Sequence, residues 1–174
     1  MKLLVATRSA GKQREVRRLL ADSGLDLVFP EDINLFEDPA EELLENSDSF
    51  RANARAKAEH FAKRSGLPTV ADDSGLEVFY LDGAPGTRSK RWAGAVGTAA
   101  EMNAANNAEL LRRLAGAPEA KRAARYRCAL VLVRKVGALP EVFEGDCAGR
   151  ILEAPAGTGG FGYDPYFYSA DLGK

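Results

Sequence analysis

Apolar residues recur along this chain in two rhythms, and the switches between them outline alternating strands and helices. Residues 3–7, LLVAT, are apolar almost without interruption, as in a short strand covered on both faces. After the polar stretch Arg8-Ser9-Ala10-Gly11, a helical period over residues 12–23 sets Val16, Leu19 and Leu20 on one side, with Gly24 as its stop. Residues 27–29 are a second apolar run, closed by Pro30, and the acidic stretch 31–46 reads as loop with one helical turn. A helix is then predicted from a cap at Ser47 or Asp48 to about residue 64, ended by Gly66 and Pro68. Phe50, Ala54, Lys57 and Phe61 form one continuous stripe on it.

Two short apolar runs, 69–71 and 76–79, flank Asp72-Asp73-Ser74-Gly75. The loop DGAPGTRSKRWAG leads to a helix over residues 98–114. Residues 126–133 alternate, with Tyr126, Cys128, Leu130 and Leu132 on one face, and Gly137-Ala138 turns the chain into an antiparallel partner over 142–147. The segment APAGTGGFGYDPYFY closes the sequence with glycines and aromatics. Helices interleave with strands at both ends around a central hairpin, which predicts an α/β fold on a mixed β-sheet. No repeat or dividing linker is evident, so residues 1–174 are expected to form a single domain, at most folded in two lobes.

Charge narrows the function classes. Lysine and arginine total 24 against 25 acids, so no net field recruits nucleic acid or a membrane. No stretch approaches the roughly 20 apolar residues that span a bilayer. Two cysteines, Cys128 and Cys147, in strand-like contexts favour reduced, buried thiols and a cytoplasmic setting.

Chemistry concentrates in three loops and one helix. In ATRSAGKQRE, a strand, a polar loop and a helix beginning near Lys12 make an anion site from backbone N–H groups, the helix dipole and a mobile ammonium. A Walker A loop fails at two fixed positions, held here by Ala6 and Gln13. The alternative is an ordinary strand-to-helix turn. Lys57 either snorkels at the edge of its stripe or enters a cleft to meet an anion, with Asn53 one turn before it. His60, the one histidine, lies off the stripe and is expected to be solvated, which excludes histidine-based metal cages.

Asp72 and Asp73 are neighbours that a strand would point to opposite faces, so both reach one site only if the strand ends at Ser74-Gly75. Two such oxygen donors suit Mg²⁺, and one could instead take a proton from water. The competing reading is a β-turn with capping acids. In GTGGFGYDP, the glycines allow close backbone approach to a flat ligand while Phe161 and Tyr163 can stack on a purine.

With those residues in view, the chain resembles the inosine triphosphate pyrophosphatase family. Four segments match in order: ATRSAGK; SFRANARAKA; ADDSGLEV with GAPGTRSKRWAG; and the glycine-rich GTGGFGYDPYF. The resemblance implies Mg²⁺-dependent hydrolysis of non-canonical purine nucleoside triphosphates (ITP, dITP, XTP) between the α and β phosphorus. It also implies a long mixed sheet flanked by helices, two lobes with the active-site cleft between them, and a homodimer. By position, Thr7, Arg8, Ser9, Lys12, Asn53, Lys57 and Ser74 would bind substrate, and Phe161, Gly162, Tyr163 and Asp164 would line the nucleoside pocket. Asp73 would be the general base, with Asp73, Asp72 and Glu45 as metal acids. Other nucleotide pyrophosphatases and a non-catalytic nucleotide sensor are the alternative readings.

Three departures from the family pattern stand out. Ser9 replaces an asparagine, keeping a hydroxyl donor and acceptor on a shorter side chain. Ala52 stands where a glutamate is usual, removing one carboxylate near the metal region. The family pattern also includes a C-terminal helix with a Ser-His-Arg segment, expected to help recognise the base, that these 174 residues do not contain.

Overall fold

A computed structural model describes residues 2–157 and 159–173. Six strands form one sheet in the order β2-β1-β3-β4-β5-β6, built from β1 (Lys2–Val5), β2 (Asp26–Val28), β3 (Thr69–Val78), β4 (Ala123–Val133), β5 (Glu141–Ile151) and β6 (Phe167–Tyr168). β1 runs parallel to both β2 and β3, whereas β5 and β6 are antiparallel, so the sheet is mixed as expected. The helices are α1 (Ala10–Leu19), α2 (Phe50–Ser65) and α3 (Ala99–Arg113). No helix among the described residues is long and apolar enough to cross a membrane.

The chain divides into two compact units: Met1–Asp73 with Cys128–Glu144, and Ser74–Arg127 with Gly145–Lys174. In the first unit the alternation of strand side chains sorts the core into two faces. Leu4, Ala6, Ala71, Ala129, Val131 and Val133 pack with Phe50, Ala54, Ala58 and Phe61 of α2. Leu3, Val5 and Val70 pack on the other side with Phe29 and the half-buried Val16 of α1. In the second unit Leu76, Val78, Ala124 and Ile151 pack with Leu110 and Leu114 of α3 and with Tyr163.

Several elements differ from expectation. β3 runs unbroken through Ser74-Gly75, so the predicted strand end there is absent. Ladder pairing outweighs the local turn preference of Asp-Ser-Gly. α1 stops at Leu19, which is 74% exposed, whereas Val16 of the same predicted face packs beside Phe29. In β4 the face buried against α2 carries Ala129, Val131 and Val133, not the Cys128–Leu130–Leu132 face. Small residues suit the close approach of the alanine-lined helix.

The α2 cap falls later than either predicted position, one residue after Asp48 and two after Ser47. Ser49 is its N-cap, its Oγ accepting from the Ala52 N–H at 3.3 Å, and Gly66 ends it in a left-handed conformation with φ +70°. Ser49→Ala is therefore expected to cost about 1 kcal/mol of stability in urea unfolding. An unchanged midpoint would show that the cap contributes nothing.

Candidate active site

The turn from β1 into α1 leaves an anion-receptive helix start. Ser9 is the N-cap in extended geometry, but its hydroxyl makes no capping bond, and its N–H donates to Thr7 Oγ1 at 3.2 Å. One turn on, the Lys12 ammonium lies 2.5 Å from Asp72 Oδ2. Burial works against that ammonium, yet Asp72, with Asp73 and Glu45 adding to it, outweighs burial and holds Lys12 above its ordinary value.

Because β3 is continuous, Asp72 and Asp73 do not share a face. Asp72 follows Val70 toward the α1 side, and Asp73 follows Ala71 toward α2. Asp73 is only 6% exposed and accepts one hydrogen bond, at 2.9 Å, from Asn53 Nδ2. Burial pushes its carboxyl above the usual carboxylate range; Asn53 and Lys57 pull it back, and Glu45 adds to the rise. Lys57, 9% exposed, donates to Glu45 Oε1 at 2.6 Å. The stripe that the sequence placed on α2 is thus buried throughout, with the Lys57 ammonium turned to an acid.

Two residues expected to touch substrate are engaged by protein partners in this structure. Arg8 grips Glu41 with two bonds, Nε at 2.8 Å and Nη2 at 2.9 Å, and also donates to Glu31 and to the Leu35 carbonyl. Its guanidinium fastens the acidic stretch 31–41 to the end of β1. Glu41 supplies it with a bidentate carboxylate partner. Asn53, 1% exposed, exchanges bonds with the Ser47 backbone at 2.9 and 3.0 Å while donating to Asp73. It positions Asp73. Ser74 is half-buried within β3.

In the second unit the glycine-rich loop is tightly braced. Asp164 accepts from the Phe161 N–H and from the Tyr126 hydroxyl, both at 2.8 Å. Gly160 has φ +80°, and a Cβ there would sit 2.2 Å from Asp164 Oδ2. Asn107 of α3 donates to the Gly162 carbonyl at 3.0 Å. Tyr163 is 4% exposed and donates its hydroxyl to the Ser89 carbonyl at 2.8 Å. The expectation that its ring stacks on a base is corrected here: the ring fills the core beside Leu76 and Leu110, and only its backbone remains to line a pocket. Phe161 stays half-buried. Thr158, in the same segment, lies outside the described residues.

Sequence reasoning missed the polar residues that hold these loops. Asn106 is buried and donates to the Ser89 and Lys90 carbonyls while accepting from the Ala93 N–H. Its spacing of four from Leu110 put a polar side chain on an apolar helix face, which was the available signal. His60 is not simply solvated either: its ring meets Phe61 edge-on at 5.4 Å, and its Nε2 is buried without a partner among the described residues.

Cys128 and Cys147 are free thiols, half-buried rather than fully buried. Burial, reinforced by Asp72, pushes the Cys128 thiol up to about 11. At pH 8 only roughly a thousandth of it is then thiolate, so iodoacetamide should label Cys128 far more slowly than a free cysteine. Labelling should accelerate as the pH rises toward 11. Mass spectrometry of the tryptic peptide checks this, and rapid labelling at pH 8 would contradict the shift.

Among the described residues no three His, Cys, Asp or Glu side chains are gathered to hold a metal ion by themselves. Mg²⁺ does not require that, since it takes one or two carboxylates and completes its shell with water and substrate phosphate. Asp73 and Glu45 meet that need: two acids close enough for one to raise the other's pKa, in a region also holding Lys12 and Lys57. The residues fit the ion.

Residues 3–174 match the Ham1 family. The chain belongs to that family. Among Ham1 relatives, the dITP/XTP pyrophosphatase of Vibrio vulnificus is 45% identical over 168 residues, covering 96% of this chain and 80% of that protein. The dITP/XTP pyrophosphatase of Yersinia pseudotuberculosis is 44% identical over 174 residues, 99% of this chain and 84% of its own. Two solved structures share the fold. A nucleoside-triphosphatase / dITP/XTP pyrophosphatase from Mycobacterium abscessus has a TM-score of 0.76 at 41% identity, over 98% of this chain and 84% of that one. A HAM1 protein from Coxiella burnetii has a TM-score of 0.81 at 32% identity, over 100% of this chain and 84% of its own.

Proposed function

We propose that this chain hydrolyses non-canonical purine nucleoside triphosphates (ITP, dITP and XTP) to the monophosphate and pyrophosphate, clearing them from the nucleotide pool. The observation that carries the reading is the arrangement around Asp73. One buried carboxylate with a raised pKa is fixed by Asn53, beside two lysines that are each held by an acid. Membership of a family whose relatives are dITP/XTP pyrophosphatases supports it.

In this reading Thr7, Ser9 and the first turn of α1 receive phosphate oxygens, with Lys12 and Lys57 neutralising charge that grows on the leaving pyrophosphate. Asp73 accepts a proton from the attacking water. Asn53 holds it in line. No covalent nucleophile is needed, because pyrophosphate leaves readily once its charge is compensated. Asp73 and Glu45 would hold Mg²⁺, which would supply charge neutralisation for the triphosphate, while Asp72, on the other face of β3, would act through Lys12. Arg8 supports the site through Glu41 rather than by touching substrate.

For the base, the proposal assigns Phe161, Gly162, Asp164 and the backbone of Tyr163, with Ser74 also toward substrate. A site that answers a keto oxygen and a ring N–H leaves partners unpaired when adenine's amino group enters, which favours 6-keto purines. A homodimer in the cytoplasm completes the proposal.

Chromatography of products after incubation with Mg²⁺ and ITP, XTP, dITP, ATP or GTP tests it. Monophosphate and pyrophosphate from the first three, with little from ATP, are expected. Diphosphate with orthophosphate would reject the cleavage position, and tight binding without turnover would reject the catalytic reading.

A further inference from the structure

Two acids and one buried ammonium share the space where the cation is expected, and that composition has a consequence for binding. Lys57 donates to Glu45 at 2.6 Å, and its charge also bears on Asp73. Asn53 fixes Asp73 from one side, while Glu45 follows the short turn Pro39–Leu43 and comes from outside the helix that carries Lys57. We propose that in the free chain the Lys57 ammonium stands in for the divalent cation, and that it passes from Glu45 to the triphosphate when the cation takes Glu45. The two ligands thereby strengthen each other's binding. This rests on the function proposed above and adds the order of events within that site.

Cation and triphosphate each compete with the same internal ion pair. A cation reaching Glu45 must displace the ammonium hydrogen bond and bear the repulsion of Lys57. A triphosphate reaching Lys57 must likewise draw the ammonium from Glu45. Each ligand alone meets a Lys57–Glu45 pair that is already satisfied. Together they exchange one internal ion pair for two new ones, and the nearly buried ammonium, once parted from Glu45, finds a phosphate oxygen. Linkage makes the effect reciprocal: whatever factor triphosphate adds to cation affinity, the cation adds to triphosphate affinity. The Lys12–Asp72 pair does not duplicate this device, because Asp72 lies on the α1 side of β3.

The test separates the two ligands in metal-stripped protein, with no turnover involved. Mn²⁺ binding is followed by electron paramagnetic resonance of the free ion, and tripolyphosphate binding by calorimetry in EDTA. Breaking one charged hydrogen bond predicts that Lys57→Met binds Mn²⁺ alone about tenfold more tightly than the native chain, and that Glu45→Gln binds metal-free tripolyphosphate about tenfold more tightly. Lys63→Met makes the same charge change at an exposed position of α2 and should move either affinity by less than about twofold, since screening weakens distant exposed charges. Circular dichroism verifies folding. Should Lys57→Met not fold, Glu45→Gln alone decides, being a change at a half-buried carboxylate. An affinity that stays within the control's range in either folded variant overturns the exchange. A chain that exchanges as described but leaves ITP intact would instead overturn the proposed function alone.

Discussion

Asp73→Asn is expected to lower turnover of ITP by roughly 100- to 10,000-fold, the range that a positioned general base contributes. The substitution is nearly isosteric, and the asparagine oxygen can still accept from Asn53 Nδ2, so the site should keep its shape. Stability should not fall. A carboxyl whose folded pKa is raised by burial stabilises the fold only while protonated, and that contribution is lost as pH rises through the raised pKa. Above that raised pKa the ionised Asp73 costs stability, and the neutral amide removes that cost. Steady-state kinetics paired with thermal melting separates the outcomes. Near-native turnover would remove Asp73 from the chemistry, whereas a lower melting point with lost turnover would mark it as architectural.

Phe61→Ala should strongly destabilise the first unit, costing about 3–5 kcal/mol in urea unfolding. Phe61 is fully enclosed with Phe50, Ala54 and Ala58 on the face of α2 that meets Leu4, Ala71 and Val131. The same helix carries Asn53 and Lys57, so loosening it also loosens the Asp73 environment. A loss below about 1 kcal/mol would mean that the helix is seated by other contacts.

What the sequence made legible was local and periodic. The α2 stripe from Phe50 to Phe61, the extent of the helix that follows Thr98, and the apolar run of β1 all follow from spacing of a few residues. Asp73 stood out because a carboxylate beside Val70 and Ala71 is costly without a purpose. The unbroken course of β3 was not legible, because Ser74-Gly75 favours a turn locally and only sheet neighbours override it. The buried face of β4 was ambiguous for a different reason: both of its faces are apolar, and the partner helix decides between them. Arg8–Glu41 and Tyr163–Ser89 join residues far apart in the chain, which no local pattern encodes. Lys12 looked like a free phosphate ligand in sequence; only the fold brings Asp72 to it.

Hydrolysis of ITP in ¹⁸O-labelled water, with mass analysis of both products after a single turnover, tests the central claim most directly. If water oriented at Asp73 attacks the innermost phosphorus, the label enters inosine monophosphate and the pyrophosphate remains unlabelled. Label in the pyrophosphate, or release of labelled orthophosphate, would contradict the account.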